Sequence, residues 1–76
     1  VAVLLITTEP GAERKVVNSL QNIDEVKEAL LLFGEYDIFA KIVCTDFGLL
    51  SNVVVSKIRN IEGVESTKTL TAAPML

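Results

Sequence analysis

Four residues in a row, Gly34-Glu35-Tyr36-Asp37, combine backbone freedom, two carboxylates and a phenol in one short segment. Glycine admits positive φ and leaves N–H groups open, aspartate accepts hydrogen bonds, and tyrosine offers a flat apolar wall with a polar tip. Taken alone, the segment is an ordinary hairpin turn in which Asp37 bonds local backbone. Its functional reading needs a context from the rest of the chain. Other chemistry is sparse. Cys44 is the only cysteine and histidine is absent, so an intramolecular disulfide, a Cys/His zinc cluster and a thiol–imidazole nucleophile pair are all excluded. Cys44 reads as a small core residue. Asp24, Glu25 and Glu28 cluster in sequence and read as a solvated acidic surface rather than an acid–base pair. Pro10-Gly11-Ala12-Glu13-Arg14 is a poor phosphate loop. No catalytic residue, metal site or cofactor is expected.

The elements that position these residues are unusually apolar. Val1 to Thr7, Ala29 to Phe33 and Ile38 to Cys44 lack the alternation of a strand with one wet face. A strand covered on both sides reads this way. With 76 residues the chain is a single domain, residues 1–76, and one this short buries only about 60% of its unfolded surface. With no disulfide or metal to reinforce it, oligomerisation is the expected remedy. Leu5 and Leu31 stand for the alternating strand sets, and the sequence leaves open which of them meets the helices.

Strand one is expected from Ala2 to Thr8, broken by Glu9-Pro10-Gly11. A helix follows from about Ala12 to Gln21, with Val16, Leu20 and Ile23 on one stripe and Pro10 near its first turn. Strand two is expected over Glu25–Phe33 and strand three over Ile38–Cys44, joined as a hairpin through Gly34–Asp37. Thr45 or Asp46 caps a second helix carrying Leu50, Val53, Val54, Lys57, Ile58 and Ile61. Strand four runs from Val64 to about Thr71, with Glu65, Thr67, Thr69 and Thr71 on one face. The residues after it show no clear period. The order βαββαβ gives an α+β, ferredoxin-like fold: a four-stranded antiparallel sheet with two helices on one face, dimerising through the other.

Net charge is −3, and no basic run exceeds Arg14-Lys15, so direct nucleic-acid binding is not expected. Phe33 and Phe39 are too few aromatics for an RNA-reading sheet. No apolar run approaches the roughly 20 residues of a membrane span, and no secretory leader is visible; a cytoplasmic protein without membrane contact fits.

Four segments resemble the effector-binding regulatory module (RAM domain) of the leucine-responsive and asparagine-operon regulators, the feast/famine family. They are Val3-Leu-Leu-Ile-Thr-Thr8, Phe33-Gly-Glu-Tyr-Asp-Ile-Phe39, Asp46-Phe47-Gly48-Leu49 and Ile61-Glu-Gly-Val-Glu-Ser-Thr-Lys-Thr69. The resemblance implies sheet-to-sheet dimers, often gathered into octamers or decamers, with amino acids bound between subunits. Full-length relatives carry a helix-turn-helix domain that these residues do not include, so the chain is expected to act as a stand-alone module that co-assembles with full-length regulators. An amino acid needs an acceptor for its ammonium, donors for its carboxylate and a selective wall. Gly34, Glu35, Tyr36 and Asp37 meet those needs, and the hydroxyls of Thr67 and Thr69 reach the same ligand if strand four meets the hairpin across an interface. The competing expectation is a small dimeric enzyme of the antibiotic-biosynthesis monooxygenase type; one tyrosine and no tryptophan or histidine argue against it.

Overall fold

The first strand, β1 (Ala2–Thr8), alternates in burial although its sequence does not alternate in polarity. Ala2, Leu4, Ile6 and Thr8 are buried, while Val3, Leu5 and Thr7 are half-buried. The structure, a computed structural model, describes residues 1–71; residues 72–76, read as lacking a period, lie outside the described residues. After β1 come α1 (Glu13–Gln21), β2 (Val26–Leu31), β3 (Ile38–Ile42), α2 (Phe47–Val53) and β4 (Val64–Thr71), with α2 continuing as a π-helical segment over Val54–Ile58. The strands form one antiparallel sheet in the order β2-β3-β1-β4. This is the expected βαββαβ ferredoxin-like fold.

Residues directly opposite each other share a sheet face. Ile6 faces Ile38 and Leu4 faces Ala40, and both belong to the core that α1 supplies with Val16 and Leu20, and the second helix with Leu50, Val53, Val54 and Ile58. On the other face lie Val3 and Leu5, Phe39 and Lys41, Glu28 and Leu30, and Lys68 and Leu70. The face of Leu5 is therefore the helix-free one. Leu31 pairs with Ile38 on the helix side, yet stays exposed at the end of an edge strand.

Several boundaries differ from expectation. β2 spans less than Glu25–Phe33: it begins at Val26, with a register shift between Val26 and Glu28, and its ladder closes with the Leu32 N–H donating to the Asp37 carbonyl at 2.8 Å. The connection to β3 is thus wider than Gly34–Asp37, and Phe33 is in a loop, fully exposed. β3 ends at Ile42 rather than Cys44. Pro10 belongs to a turn instead of the first helical turn. The Ala12 N–H donates to the Glu9 carbonyl at 3.0 Å and Gly11 has φ +86°, the pattern of a type II turn with proline then glycine at its centre. Asp46, not Thr45, caps α2, its carboxylate accepting from the Leu49 N–H at 2.7 Å. The second helix leaves α geometry after Val53, and the Arg59 N–H bonds five residues back to Val54 at 2.9 Å. On β4 a register shift opposite Thr7 and Thr8 resets the phase. Val64, not Glu65, therefore shares the helix side with Thr67, Thr69 and Thr71, and Val64 packs on the core while Glu65 is exposed.

Gly63 is the most tightly held glycine. Its φ is +102°, and a Cβ there would lie 2.8 Å from the Ala12 Cβ and 3.2 Å from the Val16 Cγ2. This close approach carries β4 into the sheet beside the start of α1, where the Glu9 N–H donates to the Gly63 carbonyl at 2.9 Å.

Candidate functional site

Asp37 is the fastener of the β2–β3 hairpin. Its N–H donates to the Ile6 carbonyl at 2.9 Å and its own carbonyl accepts from Leu32. Its carboxylate Oδ2 accepts from the Thr8 N–H at 2.8 Å and from the Thr8 hydroxyl at 3.4 Å. The side chain therefore ties the hairpin to the end of β1 instead of capping its own turn. It also satisfies the buried Thr8, whose polar groups would be costly to leave unpaired. Thr8 is a structural residue of this site that sequence reasoning missed, since a threonine at a strand end carries no signal of a partner twenty-nine positions away. The Asp37 Oδ1 atom takes no hydrogen bond from the described residues.

The rest of the hairpin projects beyond the sheet. Gly34 has φ +129° and open space where a Cβ would stand, so its backbone is approachable. Glu35 is exposed and makes no ion pair among the described residues, and Tyr36 is half-buried. The segment presents peptide groups, a free carboxylate oxygen at Asp37 and a second carboxylate at Glu35.

Thr67 and Thr69 lie elsewhere. They sit on the helix side of β4, opposite Ile6 and Leu4. With β4 at the edge of the sheet, the second helix leaves a groove of about 340 Å³ between itself and the strand. Thr67, Thr69 and Thr71 form one wall; Phe47, Leu50, Ser51, Val54, Val55 and Arg59 form the other. No hairpin residue lines it. β3 and β1 stand between, so the structure does not bring the two halves of the expected site together within one chain. A smaller groove of about 200 Å³ shares Phe47, Leu50 and Thr71 and includes Cys44 and Asp46.

The larger groove is chemically one-sided. Four hydroxyls and a guanidinium supply donors, four apolar side chains supply a wall, and no carboxylate lines it. It suits a ligand with an anionic group and an apolar body. A zwitterion would need a carboxylate from elsewhere to balance its ammonium. Arg59, Phe47 and Val55 are groove residues that sequence reasoning passed over. The departure of the second helix from α geometry at Val54–Ile58 shifts which side chains meet β4, and helical periodicity does not encode it.

Charge at the other candidates is structural. Glu25 is paired with Lys57 at 3.2 Å, and its carboxyl is held below its ordinary value by a hydrogen bond from its own backbone N–H and then by the Lys57 ammonium. No group of three or more His, Cys, Asp or Glu side chains is placed to hold a metal among the described residues. No helix among them is long and apolar enough to cross a membrane.

The chain is similar to known proteins over nearly its whole length. The family model described as the Lrp/AsnC ligand binding domain matches residues 1–73. The Regulatory protein AsnC of Escherichia coli is 41% identical over 51 residues, covering 67% of this chain and 34% of that protein. The chain thus spans about a third of the length of that curated relative. The crystal structure of hypothetical protein PHS023 from Pyrococcus horikoshii superposes with a TM-score of 0.90 at 34% identity, covering 97% of this chain and 89% of that one. A transcriptional regulator from Neisseria meningitidis, crystallised as an L-Met complex, shares the fold with a TM-score of 0.86 at 20% identity, over 96% of this chain and 49% of that one.

Proposed function

Because the chain belongs to the Lrp/AsnC ligand-binding domain family, we propose that it binds a free amino acid as effector and couples that binding to its own assembly, as a module of transcription regulation. The observation that carries this reading is the groove between the second helix and β4. It has threonine hydroxyls on one side, a largely apolar wall on the other and no carboxylate to balance an ammonium group. The hairpin holds what the groove lacks: the Asp37 Oδ1 atom, the Glu35 carboxylate and the exposed backbone around Gly34. A second copy supplies that hairpin, so the site is complete only between subunits. Binding and assembly are then linked. The L-Met held by the Neisseria meningitidis regulator supports an amino acid as the ligand class.

The helix-free sheet face supports homodimers, and the edge groove supports further association into octamers or decamers. These residues serve ligand binding and oligomerisation, in the cytoplasm, without cofactor or direct DNA contact. Regulators of the same family with a DNA-binding domain are the natural co-assembly partners. Naming of the matched relatives as regulators supports a non-enzymatic role.

A thermal-shift screen of the proteinogenic amino acids tests the reading, because a ligand that binds only the folded state raises apparent stability. Thr67→Val with Thr69→Val, and separately Tyr36→Ala, should keep the circular dichroism of the parent and lower affinity for the best amino acid by about tenfold in calorimetry. A screen in which no amino acid raises the melting temperature, or folded variants with unchanged affinity, would place the function elsewhere.

A further inference from the structure

We propose that the groove between the second helix and β4 binds a 2-oxo acid with an apolar body, its carboxylate on Arg59 and its tail toward Phe47 and Leu50, within a single copy of the chain. This goes beyond the effector reading: the ligand carries no ammonium, so it needs nothing from a neighbouring hairpin.

The groove sorts its chemistry by position. Phe47 and Thr71 also line the smaller groove, at the end where the second helix begins and β4 finishes. Arg59 follows the last turn of the second helix, so it lies toward the start of β4 and toward Thr67. One end is therefore cationic and the other apolar. The wide turn of the π-helical segment, closed by the Arg59 N–H on the Val54 carbonyl at 2.9 Å, brings Arg59 round above Val54, itself a groove residue. Arg59 makes no ion pair among the described residues, and the groove has no carboxylate to meet its guanidinium. Its volume of about 340 Å³ lies in the range of small-ligand sites.

Charge decides what the groove accepts by itself. A guanidinium takes a carboxylate through two parallel N–H bonds. An ammonium on the adjoining carbon would sit beside that guanidinium with no carboxylate to balance it, and a like charge at close range disfavours it. An oxo oxygen on the same carbon suits the site instead. Threonine hydroxyls donate to it, and Thr67 and Thr69, two residues apart on one side of the strand, present theirs along the groove. A saturated acid offers those hydroxyls nothing beyond its carboxylate. Further along the ligand the requirement is apolar bulk, which covers Leu50 and the ring of Phe47, 69% exposed in the chain by itself. An amino acid and the 2-oxo acid with the same side chain then contend for one groove, and only the aminated form calls on the hairpin carboxylates of a second copy. The chain thereby tells an amino acid from its deaminated counterpart.

Calorimetry on the full chain tests this with 4-methyl-2-oxopentanoate and phenylpyruvate, each against its saturated acid, 4-methylpentanoate and 3-phenylpropanoate. At least one 2-oxo acid should bind the parent with a Kd below about 1 mM, and its saturated acid should bind about tenfold more weakly. Arg59→Gln should weaken the 2-oxo acid by about tenfold, and Arg59→Lys by less, since a point charge keeps the attraction without the fork. Arg59 is exposed and unpaired, so both variants should keep the circular dichroism of the parent. Tyr36→Ala, on the hairpin, should leave 2-oxo-acid affinity unchanged. A parent that binds neither 2-oxo acid, an Arg59→Gln variant that binds like the parent, a saturated acid that binds as tightly, or a loss in Tyr36→Ala would each overturn the proposal. The best amino acid of the thermal-shift screen, titrated alongside, separates the two readings. Amino-acid binding without 2-oxo-acid binding leaves the effector site and removes this one; 2-oxo-acid binding that Arg59→Gln weakens, with no amino acid bound, does the reverse.

Discussion

The two faces of the sheet are built from the same residue types and meet different fates. On the helix side Leu4, Ile6, Ile38 and Ile42 have no exposed surface. On the other side Val3, Leu5 and Phe39 remain half-buried at best, and Leu30 and Leu70 are 50% and 46% exposed. Nothing in side-chain chemistry separates Leu4 from Leu5. What separates them is the pleat, which sends one toward α1 and the second helix and the other toward open space. Apolar strand composition therefore specifies that a face is to be covered, and the fold decides which face the chain covers itself. The remaining face and the groove beside β4 are the parts of the molecule that the chain does not cover itself.

Substitutions on the two faces should behave differently in kind. Ile6→Ala removes methyl groups from a fully buried site and should cost about 2–5 kcal/mol, the same at every protein concentration, as read from urea unfolding midpoints. Leu5→Asp places a carboxylate on the helix-free face. It should abolish the concentration dependence of the midpoint, because that dependence reports the stabilisation a partner copy adds. Parent and Leu5→Asp midpoints that rise alike with concentration would mean the sheet face is not the dimer contact.

The glycines sharpen the contrast between closed and open regions. Gly63 and Gly34 both hold positive φ, at +102° and +129°. Alanine at Gly34 meets no atom within 4 Å, so Gly34→Ala should cost only the backbone term, about 1–2 kcal/mol. Gly63→Ala adds a contact at 2.8 Å with Ala12, at the start of the packed helix, and should lower the thermal midpoint well beyond Gly34→Ala. Equal midpoints for the two variants would show that α1 shifts freely there and that the helix face is looser than its burial indicates.

Much of this was legible in the sequence. Strand count, element order and the stripe of Val16 and Leu20 follow from periodicity, and a cap at Thr45 or Asp46 follows from their side-chain oxygens, with the fold choosing Asp46. The face of Leu5 was not legible, because a strand apolar on both sides carries no phase. Nor was the exposure of Phe33, which lies just past the last bonded rung of the hairpin, Leu32 to Asp37. The phase of β4 turned on one register shift at its start, which moved Glu65 off the face shared by Thr67 and Thr69. For the candidate site, the hairpin and the threonine pair stood out as residue types, but their separation by two strands belongs to topology. Arg59 gave no signal, since an exposed arginine on a helix is common until a groove is seen beside it.

The smallest expected effect lies at the rim of the covered face. Lys57, on the π-helical segment, reaches Glu25 just before β2 at 3.2 Å and so ties the second helix to the far strand. The Glu25 carboxyl is lowered from its ordinary 4.5 by its own backbone N–H first and by Lys57 second. A carboxylate with a depressed folded value binds fewer protons in the native state than in the unfolded one, so stability rises with pH through that window. The contribution is fully present above about pH 4.5 and is lost as pH falls through the lowered folded value. Because the pair is open to solvent, salt should screen it and its size should be slight. Glu25→Gln should therefore melt below the parent at about pH 7 in low salt, and the gap should close at low pH, as the parent's carboxylate takes up its proton below the lowered folded value. A gap that is the same at both pH values would show that Glu25 contributes packing or β2 propensity rather than charge, and would leave the edge of the helix face held by the apolar core alone.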